Sequence, residues 1–167
     1  MKEFYEFALW QNKDHIASIG CGYGWWEVSL CLHYPVKKMA FVDPLVDKED
    51  IAESIEYFTE KTGLKWQTEV ELNPETLQNK DQIWIFNAWH EFENRIEMLT
   101  NIYKALNDGG IVIMEEEVSK VERLQHEGCG KDLFFEKEII EEFKQAGLHH
   151  VATEVKDDVA VYLKFLK

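Results

Sequence analysis

The sequence predicts a three-layer α/β domain. Short apolar runs alternate with amphipathic stretches along most of the chain, the pattern of strand–helix units built around a parallel sheet. A glycine-rich turn, Gly20-Cys21-Gly22-Tyr23-Gly24, joins the first apolar run to a helix. The last two runs are separated only by Lys156-Asp157-Asp158, a connection that forces antiparallel pairing. The 167 residues suit a single domain, 1–167, with a helical segment over 1–13 at its start.

Each element has its own signal. Phe4, Phe7, Ala8 and Trp10 give residues 3–12 an amphipathic pattern. Ile16-Ala17-Ser18-Ile19 is a buried strand that ends at glycine, and a helix follows from about Gly24 to His33. Lys38 to Asp43 is the second strand, stopped by Pro44. Asp47 caps the next helix, Ile51, Ile55 and Phe58 mark one face of it, and Gly63 stops it. Trp66 to Leu72 is the third strand, and Asn73-Pro74 opens a short helix.

Ile83 to Phe86 is the fourth strand. Phe92, Ile96, Leu99, Tyr103 and Leu106 then recur at helical spacing, and Asn107-Asp108-Gly109-Gly110 turns the chain into a fifth strand, Ile111 to Met114. A loop covers about 118–134. Ile139, Ile140, Phe143 and Ala146 mark the last helix, stopped by Gly147. Residues 148–155 and 159–166 form the closing hairpin, with Val159, Val161, Leu163 and Phe165 alternating against more polar neighbours.

Composition bounds the partners. Eighteen Lys and Arg against 32 Asp and Glu leave a net charge of −14. Phosphate neutralisation needs clustered cations, so nucleic acid is excluded as a partner, and an anionic membrane would repel the chain. A cationic ligand or a basic protein patch stays open. Cys21, Cys31 and Cys129 form no disulfide framework, and the start of the chain lacks the layout of a signal peptide, so a reducing, cytoplasmic setting is expected. No apolar run approaches the ~18 residues of a membrane span.

The glycine turn carries the chemistry. Glycine permits tight turns and close approach of a ligand to the backbone. Asp43 ends the next strand, where a carboxylate can accept hydrogen bonds from both ribose hydroxyls. The alternative for Asp43 is a turn residue before Pro44. The sixth position from Gly20 is Trp25 rather than glycine, and no Walker sequence occurs, so phosphate-bearing nucleotides are disfavoured.

Gly20-x-Gly22-x-Gly24 after a strand, Asp43 closing the next, Asn87-Ala88-Trp89-His90-Glu91-Phe92 after the fourth, Leu106-Asn107-Asp108-Gly109-Gly110 before the fifth, and the closing hairpin together resemble the class I S-adenosylmethionine-dependent methyltransferases. The resemblance spans about 14–166. It implies a Rossmann-like methyltransferase fold with a seven-stranded sheet ordered 3-2-1-4-5-7-6 and strand 7 antiparallel. It implies S-adenosylmethionine as cofactor and S-adenosylhomocysteine as product. Gly20, Gly22 and Gly24 would lie beside the methionine portion, Asp43 would hold the ribose, and Pro44 and Leu45 would flank the adenine. Glu71 would meet the adenine amino group, and Asn87 and Ala88 would line the sulfonium side. Two departures stand out: Ser18 occupies a position where the family carries Asp or Glu, and Trp25 and Trp26 are bulky for theirs.

The expected acceptor is a small molecule. His90 is the candidate base, with helix capping as its alternative, and Glu91 either orients it or favours the helix N-terminus. Among Glu115, Glu116 and Glu117, alternation directs one side chain to the cleft, where it would suit an amine; Glu115, His126 and Trp10 are the candidate substrate contacts. His126-Glu127-Gly128-Cys129-Gly130, with His90, could supply a metal site or a substrate lid, but one histidine and one cysteine at short spacing are too few for a zinc centre, so a flexible glycine-bearing loop and no metal are expected. A non-catalytic binding module and a protein-methylating subunit that needs a partner remain alternatives, and an edge strand or the hairpin could form a homodimer.

Overall fold

The computed structural model describes residues 2–8, 15–33 and 36–167. Trp10 lies outside them. The described elements are α1 (Lys2–Ala8), β1 (His15–Ile19), α2 (Trp25–Cys31), β2 (Lys38–Val42), α3 (Lys48–Thr62), β3 (Gln67–Glu71), β4 (Lys80–Phe86), α4 (Arg95–Ala105), β5 (Leu106–Glu117), α5 (Glu136–Gln145), β6 (His149–Val155) and β7 (Ala160–Leu166). Short 3-10 turns cover Pro74–Thr76 and Trp89–Glu91.

The sheet runs β3-β2-β1-β4-β5-β7-β6. Strands β1 to β5 are mutually parallel, and β7 is antiparallel to both β5 and β6. This is the order that the resemblance implies. Strand alternation divides the interior into two cores. Ala17, Ile19, Val42, Ile83, Val112 and Met114 face α4 and α5. Ile16, Met39, Phe41, Trp84 and Ile113 face α1, α2 and α3. Phe4 and Phe7 of α1 pack on Trp84, Phe86 and Tyr162, so these aromatics belong to the core and not to a cover over the cleft.

Local signals behave as their chemistry dictates. The Asp47 carboxylate accepts from the Glu49 N–H, and Gly63 ends α3 in the left-handed region at φ 70°. The helix α4 departs from the expected stripe. Leu99, Ile102 and Ala105 form its buried face, while Ile96 is 83% exposed and Tyr103 38%. Residues 107–110 interrupt the β4–β5 ladder, whose register jumps from Lys80–Leu106 to Gln82–Ile111. The expected turn thus survives as an irregularity inside β5. Among the described residues no helix is long and apolar enough to cross a membrane.

Candidate functional site

A cleft of about 500 Å³ opens at the carboxyl ends of β1, β2 and β4, within the range of small-molecule sites. Its walls come from Gly20, residues 43–45, 73–75, Ala88, 91–94, the first turns of α4, and Lys131. Gly20 is at φ +75°, and a Cβ there would meet the Ala88 Cβ at 2.5 Å. The turn after β1 therefore passes the segment after β4 too closely for any side chain. Gly24, at φ +72°, similarly lets α2 close on the Phe41 ring, 2.8 Å from where a Cβ would sit. This glycine makes the close helix–strand packing, and Trp25 beside it points outward, 55% exposed, instead of obstructing it.

Asp43 connects the loops. Its Oδ2 accepts the Gly22 N–H at 2.8 Å, and its Oδ1 accepts the Leu45 and Val46 N–H groups at 2.9 and 3.3 Å. The turn role and the cleft position therefore coexist in one carboxylate. A carboxylate has about four lone-pair sites, so acceptor capacity remains.

Ser18 is fully buried, and its hydroxyl donates to Glu27 Oε1 at 2.7 Å. Glu27 of α2 thus sets a carboxylate against Ser18 of β1. Glu27 Oε2 has no partner among the described residues. Burial is the main force on this carboxyl; with the nearby Asp43 charge it outweighs the Ser18 hydrogen bond and pushes the pKa up to about 7. Burial, Glu27 and Asp43 also push the Cys21 thiol upward, which leaves it inert at neutral pH.

A second cluster lies behind the wall after β4. His90 Nδ1 is 2.5 Å from Glu116 Oε1, and both side chains are enclosed. The same carboxylate accepts the backbone N–H groups of Trp89 and His90 at 3.0 and 3.3 Å. Burial alone would lower the His90 pKa, but the hydrogen bond and charge of Glu116, with Glu91 and Glu117, raise it overall. The His90 and His126 rings lie 4.5 Å apart, and Cys129 Sγ is 3.3 Å from His126 Nδ1.

The remaining expected residues divide clearly. Gly20, Asp43, Pro44, Leu45, Ala88 and Glu91 are on the cleft wall. Glu71 is not; it lies 3.8 Å from Lys48, and Asn73 to Glu75 take the wall beyond β3. Asn87 ties loops together: its Oδ1 accepts the Glu117 N–H at 3.2 Å, and its Nδ2 is 3.2 Å from His126 Nε2. Glu115 pairs with Lys156 at 2.5 Å, away from the cleft wall. The cleft is nonetheless acidic, because Asp43, Glu75, Glu91, Glu93 and Glu97 face Lys131 as its one basic lining residue. Glu27 is the partner that sequence reasoning did not single out, and nothing local indicated it. Glu116 was one of the three glutamates closing the fifth strand, and Cys129 lay in the loop named with His126.

No protein-family model matches the chain, and no curated protein sequence matches it. Solved structures do. A provisionally named O-methyltransferase from Nostoc punctiforme superposes with a TM-score of 0.80 at 14% identity, over 99% of this chain and 55% of that one. A SAM-dependent methyltransferase from Aquifex aeolicus gives 0.78 at 16% identity, over 99% and 87%. A chain in the complex between the Haloferax volcanii Trm112 methyltransferase activator and a provisionally named methyltransferase gives 0.73 at 13%, over 99% and 86%. The chain thus spans about half the length of the Nostoc protein and most of the other two. It has the fold of the class I S-adenosylmethionine-dependent methyltransferases.

Proposed function

We propose that the cleft binds S-adenosylmethionine and that the chain methylates a small molecule. The observation that carries this reading is Asp43, a carboxylate on the cleft wall whose oxygens also fix the glycine turn and the turn after β2. The cradle fits the group: Gly20 leaves backbone exposed at the wall, and nothing stands within 4 Å of a Cβ at Gly22. Five carboxylates on the wall favour a cationic ligand over an anionic one.

Bound there, S-adenosylmethionine supplies an electrophilic methyl group on a sulfonium, and transfer is an in-line displacement that needs orientation above all. Asp43 would hold the ribose hydroxyls and Leu45 would cover the adenine. Ala88 would keep the segment after β4 close to the reacting centre. His90 is enclosed behind the wall, so Glu91 is the group assigned to take the acceptor's proton. The acidic wall makes a neutral or protonatable amine the favoured acceptor class. The runner-up is a subunit that methylates proteins with a basic partner, supported by the net charge and by the Haloferax neighbour's activator.

Calorimetric titration with S-adenosylmethionine and S-adenosylhomocysteine tests the reading. Saturable micromolar binding is expected, and Asp43→Asn should weaken it by about tenfold or more, the scale of one charged hydrogen bond. Binding that is absent in the folded protein, or unchanged in Asp43→Asn, overturns the assignment.

A further inference from the structure

We propose that His90, His126 and Cys129 form a zinc-binding site beside the cleft. One ligand atom from each of the three lies within 4.8 Å of the others, so modest rotations bring them to the spacing of a metal's coordination shell. The choice of atoms follows from existing bonds. His90 Nδ1 is committed to Glu116, which leaves Nε2 as the ligating nitrogen. That Nε2 is buried and has no hydrogen-bond partner among the described residues. A buried polar atom without a partner calls for an explanation, and a bound ion is one of the few physical ones.

The surroundings are those of a metal ligand. A histidine that ligates through one nitrogen commonly donates from the other to a carboxylate, which fixes the tautomer and raises its basicity. Glu116 does this to His90, and two backbone N–H groups hold Glu116 itself in place. His126 and Cys129 lie three residues apart in a tight turn. The turn is closed by the Gly130 N–H to the His126 carbonyl at 2.8 Å and by the His126 N–H to the Lys131 carbonyl at 2.8 Å. Cys129 Sγ lies 3.3 Å from His126 Nδ1, so both side chains sit on one side of the turn. Lys131 Nζ then reaches the Glu91 carbonyl at 3.2 Å, which fastens this turn to the segment bearing His90.

Two imidazoles and a thiolate suit zinc better than magnesium or calcium, which take oxygen ligands. Three protein ligands leave a fourth position open, the arrangement of catalytic zinc. Glu91 and Lys131, the neighbours of two ligand segments, both line the cleft. Metal binding would therefore fix the loop over 118–134 against the acceptor side. It would also release the Cys129 proton to solvent, because the thiolate is the ligand. The sequence favours a flexible loop because His126 and Cys129 alone are too few for zinc; the fold brings His90, already a candidate partner of that loop, close enough to make a third ligand.

The test uses tag-free protein purified without chelator. Elemental analysis after exchange into metal-free buffer, and titration of the metal-free protein with cobalt, should each give about one equivalent per chain. The cobalt form should show the absorption of tetrahedral ligation with a thiolate-to-metal band. Cys129→Ser should abolish that band. Cys129→Ser and His126→Gln, both in the loop outside the two cores, should each weaken zinc by about 10–100-fold, a range already seen for outer-shell changes. Sub-stoichiometric metal, or metal binding indifferent to both variants, overturns the proposal. These readouts need no cofactor, so they stand or fall separately from the methyl-transfer reading.

Discussion

Two glutamates, one in α2 and one at the end of β5, are buried, and the protein treats them differently. Glu116, at the end of β5, is held by two backbone N–H groups and the His90 imidazole. Among the described residues, Glu27, in α2, has the Ser18 hydroxyl as its one outside donor and no partner for Oε2. Both are essentially inaccessible to solvent. What a buried carboxylate does depends on the donors around it as well as on its burial. Glu116 serves as an anchor that binds two segments together. Glu27 is poised to take up a proton near neutral pH, next to a loop that the proposed cofactor must approach.

The largest expected effect comes from breaking the anchor. Glu116→Gln keeps one acceptor oxygen and turns an amide NH₂ toward a backbone or imidazole donor. It also removes the charge opposite His90. The three hydrogen bonds to the carboxylate, each contributing roughly 1.5–3 kcal/mol as bonds to a charged acceptor, are weakened or lost together, for a total of about 3–5 kcal/mol. Urea unfolding at pH 7 should show a loss of that order, or no folded protein at all. A loss below about 1 kcal/mol, within the net worth of one ordinary hydrogen bond, would mean that the network is ornamental to stability.

The second effect has the opposite sign. The Glu27 carboxyl ordinarily titrates near 4.5 and is pushed up to about 7 in the fold. The native state then binds the proton more tightly than the unfolded chain. Stability attributable to this group falls as pH rises from about 4.5 to about 7, and stays reduced above that. The full penalty is on the order of 3 kcal/mol. Glu27→Gln has no proton to lose. It should stabilise the protein by about 1–3 kcal/mol at pH 8 and change little near pH 4.5. Thermal unfolding across that range checks it; equal melting shifts at both ends would refute a titrating Glu27.

The same contrast explains what the sequence could reveal. The strand order, the glycine turn and Asp43 were readable because each depends on neighbours in the chain: a strand, a turn that only glycine fits, and an acid at the next strand's end. The side-chain partnerships were not. Ser18 looks like a lost charge until α2 brings Glu27 against it. His126 and Cys129 look like loop residues until the turn folds back on His90. The stripe Phe92, Ile96, Leu99, Tyr103, Leu106 has sound helical spacing, yet α4 buries Leu99, Ile102 and Ala105. Small Ala105 contributes little to an apolar pattern, so the true face is weaker in the sequence than the exposed one. Glu71 and Glu115 lie beside Lys48 and Lys156, off the wall of the cleft.

The smallest effect discriminates most finely, because it isolates one hydroxyl. Ser18→Ala removes the outside donor to Glu27 Oε1 and leaves the backbone of β1 untouched. Hydrogen bonds to charged groups contribute about 1.5–3 kcal/mol and neutral ones about 0.5–1.5. The variant should therefore lose more stability at pH 8, where Glu27 is ionised, than at pH 5, where it is protonated. The gap should be about 1 kcal/mol, since without the hydroxyl the carboxyl holds its proton to higher pH and escapes part of the cost. In a Glu27→Gln background the pH dependence of the Ser18→Ala loss should vanish, because the charge that the hydroxyl serves is gone. If the loss is the same at both pH values in the wild-type background, Ser18 is simply filling space, and its hydroxyl does not serve the Glu27 charge.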